Sequence, residues 1–266
     1  MIPTESYNCY EYFKNNTAAF GDYDAAIHFG HRIKRSALLS DIDRLAAYFK
    51  SAGLRRGDVY TVFLPTCVQS FVAFYALNKI GVIANIVHPL TPPELLKETM
   101  DAVGSKGVML MDLLAKPYVD MLNVPCVVCS NSDYVSPAAH PAFRGYELFA
   151  SHASSGIKNA LSYRAVIHRC PPSDGVHNNG SDIAVYLHGG GTTGKSKTIK
   201  LSSKALNELA YKTGKVPRCR VLDDSPAALP CVWTRRVDAF QHVRRLLLYP
   251  CRALQAAQGK RAYARI

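Results

Sequence analysis

Residues able to hold phosphate are concentrated between Asp182 and Leu209. Residues 188–197 read His-Gly-Gly-Gly-Thr-Thr-Gly-Lys-Ser-Lys, with four glycines, two threonines and two lysines in ten positions. In such a string backbone N–H groups and hydroxyls can wrap phosphate oxygens while lysine neutralises their charge. The candidate ligands are Gly189, Gly190, Gly191, Thr192, Thr193, Gly194, Lys195 and Lys197. The plain alternative is a flexible surface loop, which does not explain why glycine, threonine and lysine converge here. Ile183-Ala184-Val185-Tyr186-Leu187 before the loop reads as a strand.

Two known phosphate-binding arrangements fit the string. Gly189, Gly194, Lys195 and Ser196 satisfy G-x-x-x-x-G-K-[ST] literally, the P-loop of many nucleotidases. That device needs a helix starting at the Lys and Ser, with its N-terminus facing the phosphates. The next residues are instead Thr198-Ile199-Lys200-Leu201, alternating and β-branched, which predicts a strand. The helix is expected later, with Ser202 or Ser203 as N-cap before Ala205-Leu206. Some 180 residues also precede the motif, whereas P-loop domains tend to carry it near their start. A loop between two strands is therefore the favoured reading, and a P-loop-like nucleotide binder is an alternative.

The elements that position the loop are legible upstream. Leu38, Leu39, Ile42, Leu45, Ala46 and Phe49 recur at helical spacing, with Gly53 as the stop. Val59–Leu64 is a buried strand ended by Pro65, Val68–Ile80 a core helix closed by Gly81, and Val82–Val87 a second strand. Short connections make this a strand–helix–strand unit of a parallel sheet. Pro92 and Pro93 open a further helix running to about Val103, and residues 107–111 form the next strand. Residues 130–180 carry weaker signals, and 171–181 read as an exposed connection.

Composition excludes several classes. Hydrophobic residues make up 48% and charged residues 20% of the 266 positions, as in a globular chain rather than a disordered or collagen-like one. The longest apolar run, Val59 to Leu77, is interrupted by Pro65 and Gln69, so no membrane span is expected. The first six residues show neither a basic nor an apolar signal region, and a cytoplasmic location is expected. Eight cysteines are too few for a disulfide scaffold. Cys126-Val127-Val128-Cys129 has the spacing of half a zinc site or a redox pair, but it lies in an apolar stretch with no second pair at zinc-finger spacing, and a buried strand is the expected reading.

The net charge of +12 is unevenly spread. Residues 1–230 hold 24 Lys and Arg against 19 acids, a net +5; residues 231–266 hold 7 Arg and 1 Lys against Asp238, a net +7. The main part is thus mildly basic, and nucleic acid is not its expected partner.

Tyr186–Lys197 resembles the AMP-binding signature of the adenylate-forming superfamily, which includes acyl-CoA synthetases, luciferases and peptide-synthetase adenylation domains. Gly191-Thr192-Thr193-Gly194-Lys195 and Lys197 match closely, with Ser196 in place of a usual proline and Thr198 in place of a usual glycine. Ser203 stands where many members have histidine. Leu45–Lys50, Gly53-Leu54, Gly57-Asp58, Leu77–Val82 and Val87–Leu95 look like family elements in the same order. The resemblance implies an α/β fold: N-terminal subdomains with a parallel or mixed sheet and flanking helices. It implies that Thr192, Thr193, Gly194 and Lys195 hold the β- and γ-phosphates of ATP with Lys197 nearby, Mg²⁺ sharing the charge. The partners it implies are ATP, a carboxylic acid and, in an intact enzyme, a thiol such as coenzyme A. No residue is expected to act as nucleophile, because the acid substrate's carboxylate attacks.

The resemblance covers roughly residues 10 to 230, an AMP-binding segment. Family members are longer, and their later elements find no counterpart in residues 231–266. The expectation is a truncated ligase that keeps its phosphate loop without completing the reaction, is poorly soluble alone, and carries a non-family or frameshifted tail. Alternatively the tail is a basic amphipathic helix, with Val237, Phe240, Val243 and Leu247 apolar and Arg244 and Arg245 charged. The chain would then be a non-enzymatic basic module for nucleic acid or a membrane surface.

Overall fold

The computed structural model of the protein describes residues 6–150, 157, 159–171, 179–189 and 197–214. In chain order its elements begin with α1 (Cys9–Thr17), β1 (Asp24–His28), β2 (His31–Lys34) and α2 (Arg35–Ser51). The central unit is β3 (Val59–Phe63), α3 (Val68–Lys79) and β4 (Ile83–Ile86), followed by α4 (Pro93–Ala102), β5 (Ser105–Met111) and β6 (Cys126–Cys129). Then come α5 (His140–Ala150), β7 (Ala160–Ser162), α6 (Tyr163–Arg169), β8 (Ile183–Gly189), β9 (Lys197–Ser202) and α7 (Ser203–Gly214).

The strands assemble, among the described residues, into a seven-stranded sheet of order β7-β6-β5-β3-β4-β8-β9 and a separate β1–β2 hairpin. Every neighbouring pair in the large sheet is parallel except β8 and β9. This is the α/β architecture with flanking helices expected from the sequence. The strand–helix–strand unit at 59–87 lies in its middle.

Local chemistry accounts for the elements. Asn8 caps α1 by accepting from the Glu11 N–H at 2.8 Å, and Glu11 reaches back to the Asn8 N–H at 3.3 Å, a capping box. Helix α3 ends in a Schellman motif: the Val82 N–H donates to Leu77 O, the Gly81 N–H to Asn78 O, and Gly81 takes φ 75°. All twelve residues of α3 are buried, as its apolar periphery requires.

Side-chain alternation divides the sheet into two faces. Val62, Ile86, Met109, Val127 and Leu187 pack with helices α1, α2, α3, α6 and α7 in the larger core. Phe63, Val108, Leu110 and Cys126 pack against Leu96 and Met100 of α4 on the other face. Cys126 and Cys129 are three residues apart and so enter opposite cores. Burial pushes the Cys126 thiol up to about 11, and among the described residues no group of three His, Cys, Asp or Glu could hold a metal. The CxxC spacing therefore belongs to a buried strand. Likewise, no described helix is long and apolar enough to cross a membrane.

The weak-signal region 130–180 contains α5, β7 and α6. Of the expected connection at 171–181, residues 172–178 lie outside the described residues. Asp182, just after it, is held by Arg56, whose Nη2 donates to both carboxylate oxygens at 2.9 and 2.7 Å. The 231–266 segment also lies outside the described residues.

Candidate functional site

Strands β8 and β9 form an antiparallel hairpin whose stem pairs Gly189 with Lys197 and His188 with Thr198. The two ends of the glycine-rich loop are therefore direct neighbours. The loop leaves from the carboxyl end of β8, beside the parallel strand β4, the side of an α/β sheet where ligands bind. Of the sequence-derived site residues, Gly189 and Lys197 are described; Gly190, Gly191, Thr192, Thr193, Gly194 and Lys195 lie outside the described residues. The Lys197 side chain is exposed. Among the described residues a Cβ on Gly189 would meet Ile199 Cδ1 at 3.8 Å, an ordinary contact.

Beyond the loop the chain runs as a strand from Lys197 to Ser202, and the next helix starts at Ser203. A P-loop continues as a helix after its Lys and Ser, whereas here the described residues from Lys197 on form β9. Successive residues of β9 face opposite sides, so Lys197 and Lys200, three apart, point away from each other. Lys200 Nζ lies 5.5 Å from the centroid of the Tyr186 ring, a cation–π contact that fixes it on the face shared with His188.

A chain of buried and half-buried polar groups crosses the sheet from the stem of the hairpin. His188 Nε2 lies 2.6 Å from Asn85 Oδ1 on β4, and Asn85 Nδ2 donates to Thr61 Oγ1 on β3 at 3.0 Å. Thr61 Oγ1 is 2.7 Å from Ser105 Oγ on β5, which donates to Gly107 O at 2.9 Å. Asn85 and Thr61 are fully buried, where an unsatisfied polar group is costly. Burial lowers the His188 pKa below the ordinary histidine value and keeps the ring neutral at pH 7. Sequence reading did not single out Asn85, Thr61 or Ser105. The available signal was an asparagine inside the otherwise apolar strand Val82-Ile83-Ala84-Asn85-Ile86-Val87.

A family model for the AMP-binding enzyme matches residues 13–239, and the chain belongs to that family. Among curated proteins it is similar to a long-chain-fatty-acid–CoA ligase of Bacillus subtilis (strain 168), 26% identical over 201 residues. That match covers 71% of this chain and 35% of the relative. An acetyl-coenzyme A synthetase of Syntrophus aciditrophicus (strain SB) is 34% identical over 113 residues, covering 40% of this chain and 17% of the relative. Among solved structures, the anthranilate CoA ligase AuaEII in complex with anthranoyl-AMP superposes with TM-score 0.61 at 16% identity, covering 80% of this chain and 38% of that one. The Klebsiella oxytoca NpsA N-terminal subdomain in complex with 3-hydroxybenzoyl-AMSN gives TM-score 0.61 at 18% identity, covering 94% of this chain and 53% of that one. The chain thus spans about a third of the first curated relative's length.

Proposed function

We propose that this chain is the N-terminal portion of an acid-activating ligase and that its 189–197 hairpin loop binds the β- and γ-phosphates of ATP. In this reading backbone N–H groups of Gly189, Gly190, Gly191 and Gly194 and the hydroxyls of Thr192 and Thr193 donate to phosphate oxygens. Lys195 and Lys197 supply positive charge, which favours the leaving pyrophosphate. What supports the reading is the Gly-Thr-Lys sequence between Gly189 and Lys197, a paired position of the β8–β9 hairpin at the carboxyl end of β8, which runs parallel to β4.

Hydroxyls, N–H groups and ammonium groups fit a polyanion, not a bare divalent cation. Mg²⁺ would be held by the phosphates of the nucleotide, where it shares their charge. In the intact ligase the carboxylate of the acid substrate attacks the α-phosphorus of ATP, giving an acyl-adenylate and pyrophosphate, and a thiol such as coenzyme A then attacks the acyl carbon, forming the thioester and releasing AMP. The relatives named as a long-chain-fatty-acid–CoA ligase and an acetyl-coenzyme A synthetase support this assignment. For this chain alone, which spans only part of their length, the proposed activity is nucleotide binding without turnover.

Limited trypsin digestion tests the reading, because Lys195 and Lys197 are cleavage sites within the loop. MgATP is expected to slow cleavage at both positions while AMP, which has no β- or γ-phosphate, does not. Equal cleavage with and without MgATP would contradict it.

A further inference from the structure

The polar chain behind the hairpin has a direction, and that direction fixes a proton. Gly107 O can only accept, so Ser105 Oγ must donate to it at 2.9 Å. Having spent its one hydrogen, Ser105 Oγ accepts from Thr61 Oγ1 at 2.7 Å. Thr61 Oγ1 then accepts from Asn85 Nδ2 at 3.0 Å, which turns Asn85 Oδ1 toward His188 Nε2 at 2.6 Å. An oxygen there requires that Nε2 carry the hydrogen. Reversing the whole line leaves the Gly107 carbonyl without the Ser105 hydrogen, and reversing a single link sets two donors or two acceptors face to face.

We infer that Asn85 is a positioning residue that holds His188 as the Nε2–H tautomer, leaving Nδ1 as an acceptor at the stem of the phosphate hairpin. Nδ1 faces Thr198 Oγ1 at a long 3.5 Å on the opposite strand of the stem, so Thr198 is the donor across it. The relay thereby ties the stem, whose next pair is Gly189 and Lys197, to three neighbouring strands of the sheet. As an Nδ1 acceptor, His188 presents a lone pair rather than a hydrogen to anything at the loop's root. Its significance for ligand binding rests on the phosphate reading above; the tautomer itself does not.

The experiment is nitrogen-15 NMR of the full chain labelled at its histidines, with the His188 signals assigned by loss in His188→Gln. Ring-nitrogen shifts and the long-range couplings of those nitrogens to the carbon-bound ring hydrogens identify the protonated nitrogen. The wild-type chain at pH 7 is expected to show Nε2–H at His188. Thr61→Val, which removes a group that does not touch His188, is expected to release Asn85 and give a mixture of tautomers. Asn85→Asp places a carboxylate against Nε2 and is expected to raise the His188 pKa by about 1–3 units. A merely structural Asn85 would change thermal stability and leave the tautomer in Thr61→Val as it is in the wild type. An Nδ1–H ring in the wild type, or a Thr61→Val spectrum identical to it, overturns the inference. Should Nε2–H be found while MgATP fails to protect the loop, the phosphate reading falls and this one stands. A protected loop beside an Nδ1–H ring overturns the tautomer and leaves the phosphate reading standing.

Discussion

Asp133 is the group through which pH should act most strongly on this fold. It lies on the short 3-10 turn Asn131–Tyr134, where its Oδ2 accepts from the Ser130 N–H at 2.8 Å and from Gln69 Nε2 at 3.1 Å. Burial raises its pKa; those hydrogen bonds lower it and the nearby Glu147 and Asp112 carboxylates raise it further, leaving it at about 7. An unfolded aspartate titrates near 3.9. The folded state therefore binds an extra proton between those values, so the stabilisation is complete below about pH 4 and is lost as pH rises through 7. At about 1.4 kcal/mol per unit, the three-unit window is worth on the order of 4 kcal/mol, and the part between pH 5 and 8 about 3 kcal/mol. Histidines 28, 88 and 188 have pKa values lowered by burial, and they act with the opposite sign as pH falls. Asp133→Asn isolates the term, because the amide keeps an acceptor oxygen for Ser130 and Gln69. Urea unfolding of both proteins at pH 5, 6, 7 and 8 should show the variant's advantage growing by about 3 kcal/mol across the series. A difference between the two proteins that stays constant with pH would refute the reasoning.

Packing and charge give two further outcomes. Gly107→Ala puts a Cβ 2.5 Å from Tyr60 Cε2 and 2.7 Å from Pro125 O. The Tyr60 ring is buried and its hydroxyl donates to Val108 O at 3.2 Å, so a loss of about 1–3 kcal/mol is expected in thermal unfolding. Deleting residues 231–266 removes a net charge of +7 and should abolish any salt-sensitive binding to nucleic acid, measured by titration at two ionic strengths; binding that survives the deletion assigns it to the 1–230 segment.

The elements that position the loop were legible because each carries a local signal. Val59–Phe63 and Ile83–Ile86 are apolar runs bounded by Pro65 and Gly81, and the helix between them is apolar on most faces. The glycine-rich segment stands out by composition, and the alternation Thr198-Ile199-Lys200-Leu201 announced the strand after it. Other parts depend on tertiary context. Strand β7 has three residues and α6 seven, too short for periodicity to register. The relay is less visible still: Thr61, Asn85, Ser105 and His188 are separated by tens of residues, and only parallel pairing of β3, β4, β5 and β8 brings them into line. A polar residue in a buried strand marks such a line without naming its partners.

The most direct measurement of the central claim is calorimetric titration of the chain with MgATP, alongside the Lys195→Ala/Lys197→Ala double variant. If the hairpin holds the β- and γ-phosphates, the wild-type chain binds MgATP and the double variant binds it at least about tenfold more weakly, as loss of charge-assisted contacts of about 1.5–3 kcal/mol requires. Absence of binding to both MgATP and magnesium pyrophosphate, or equal affinity in the double variant, would contradict it.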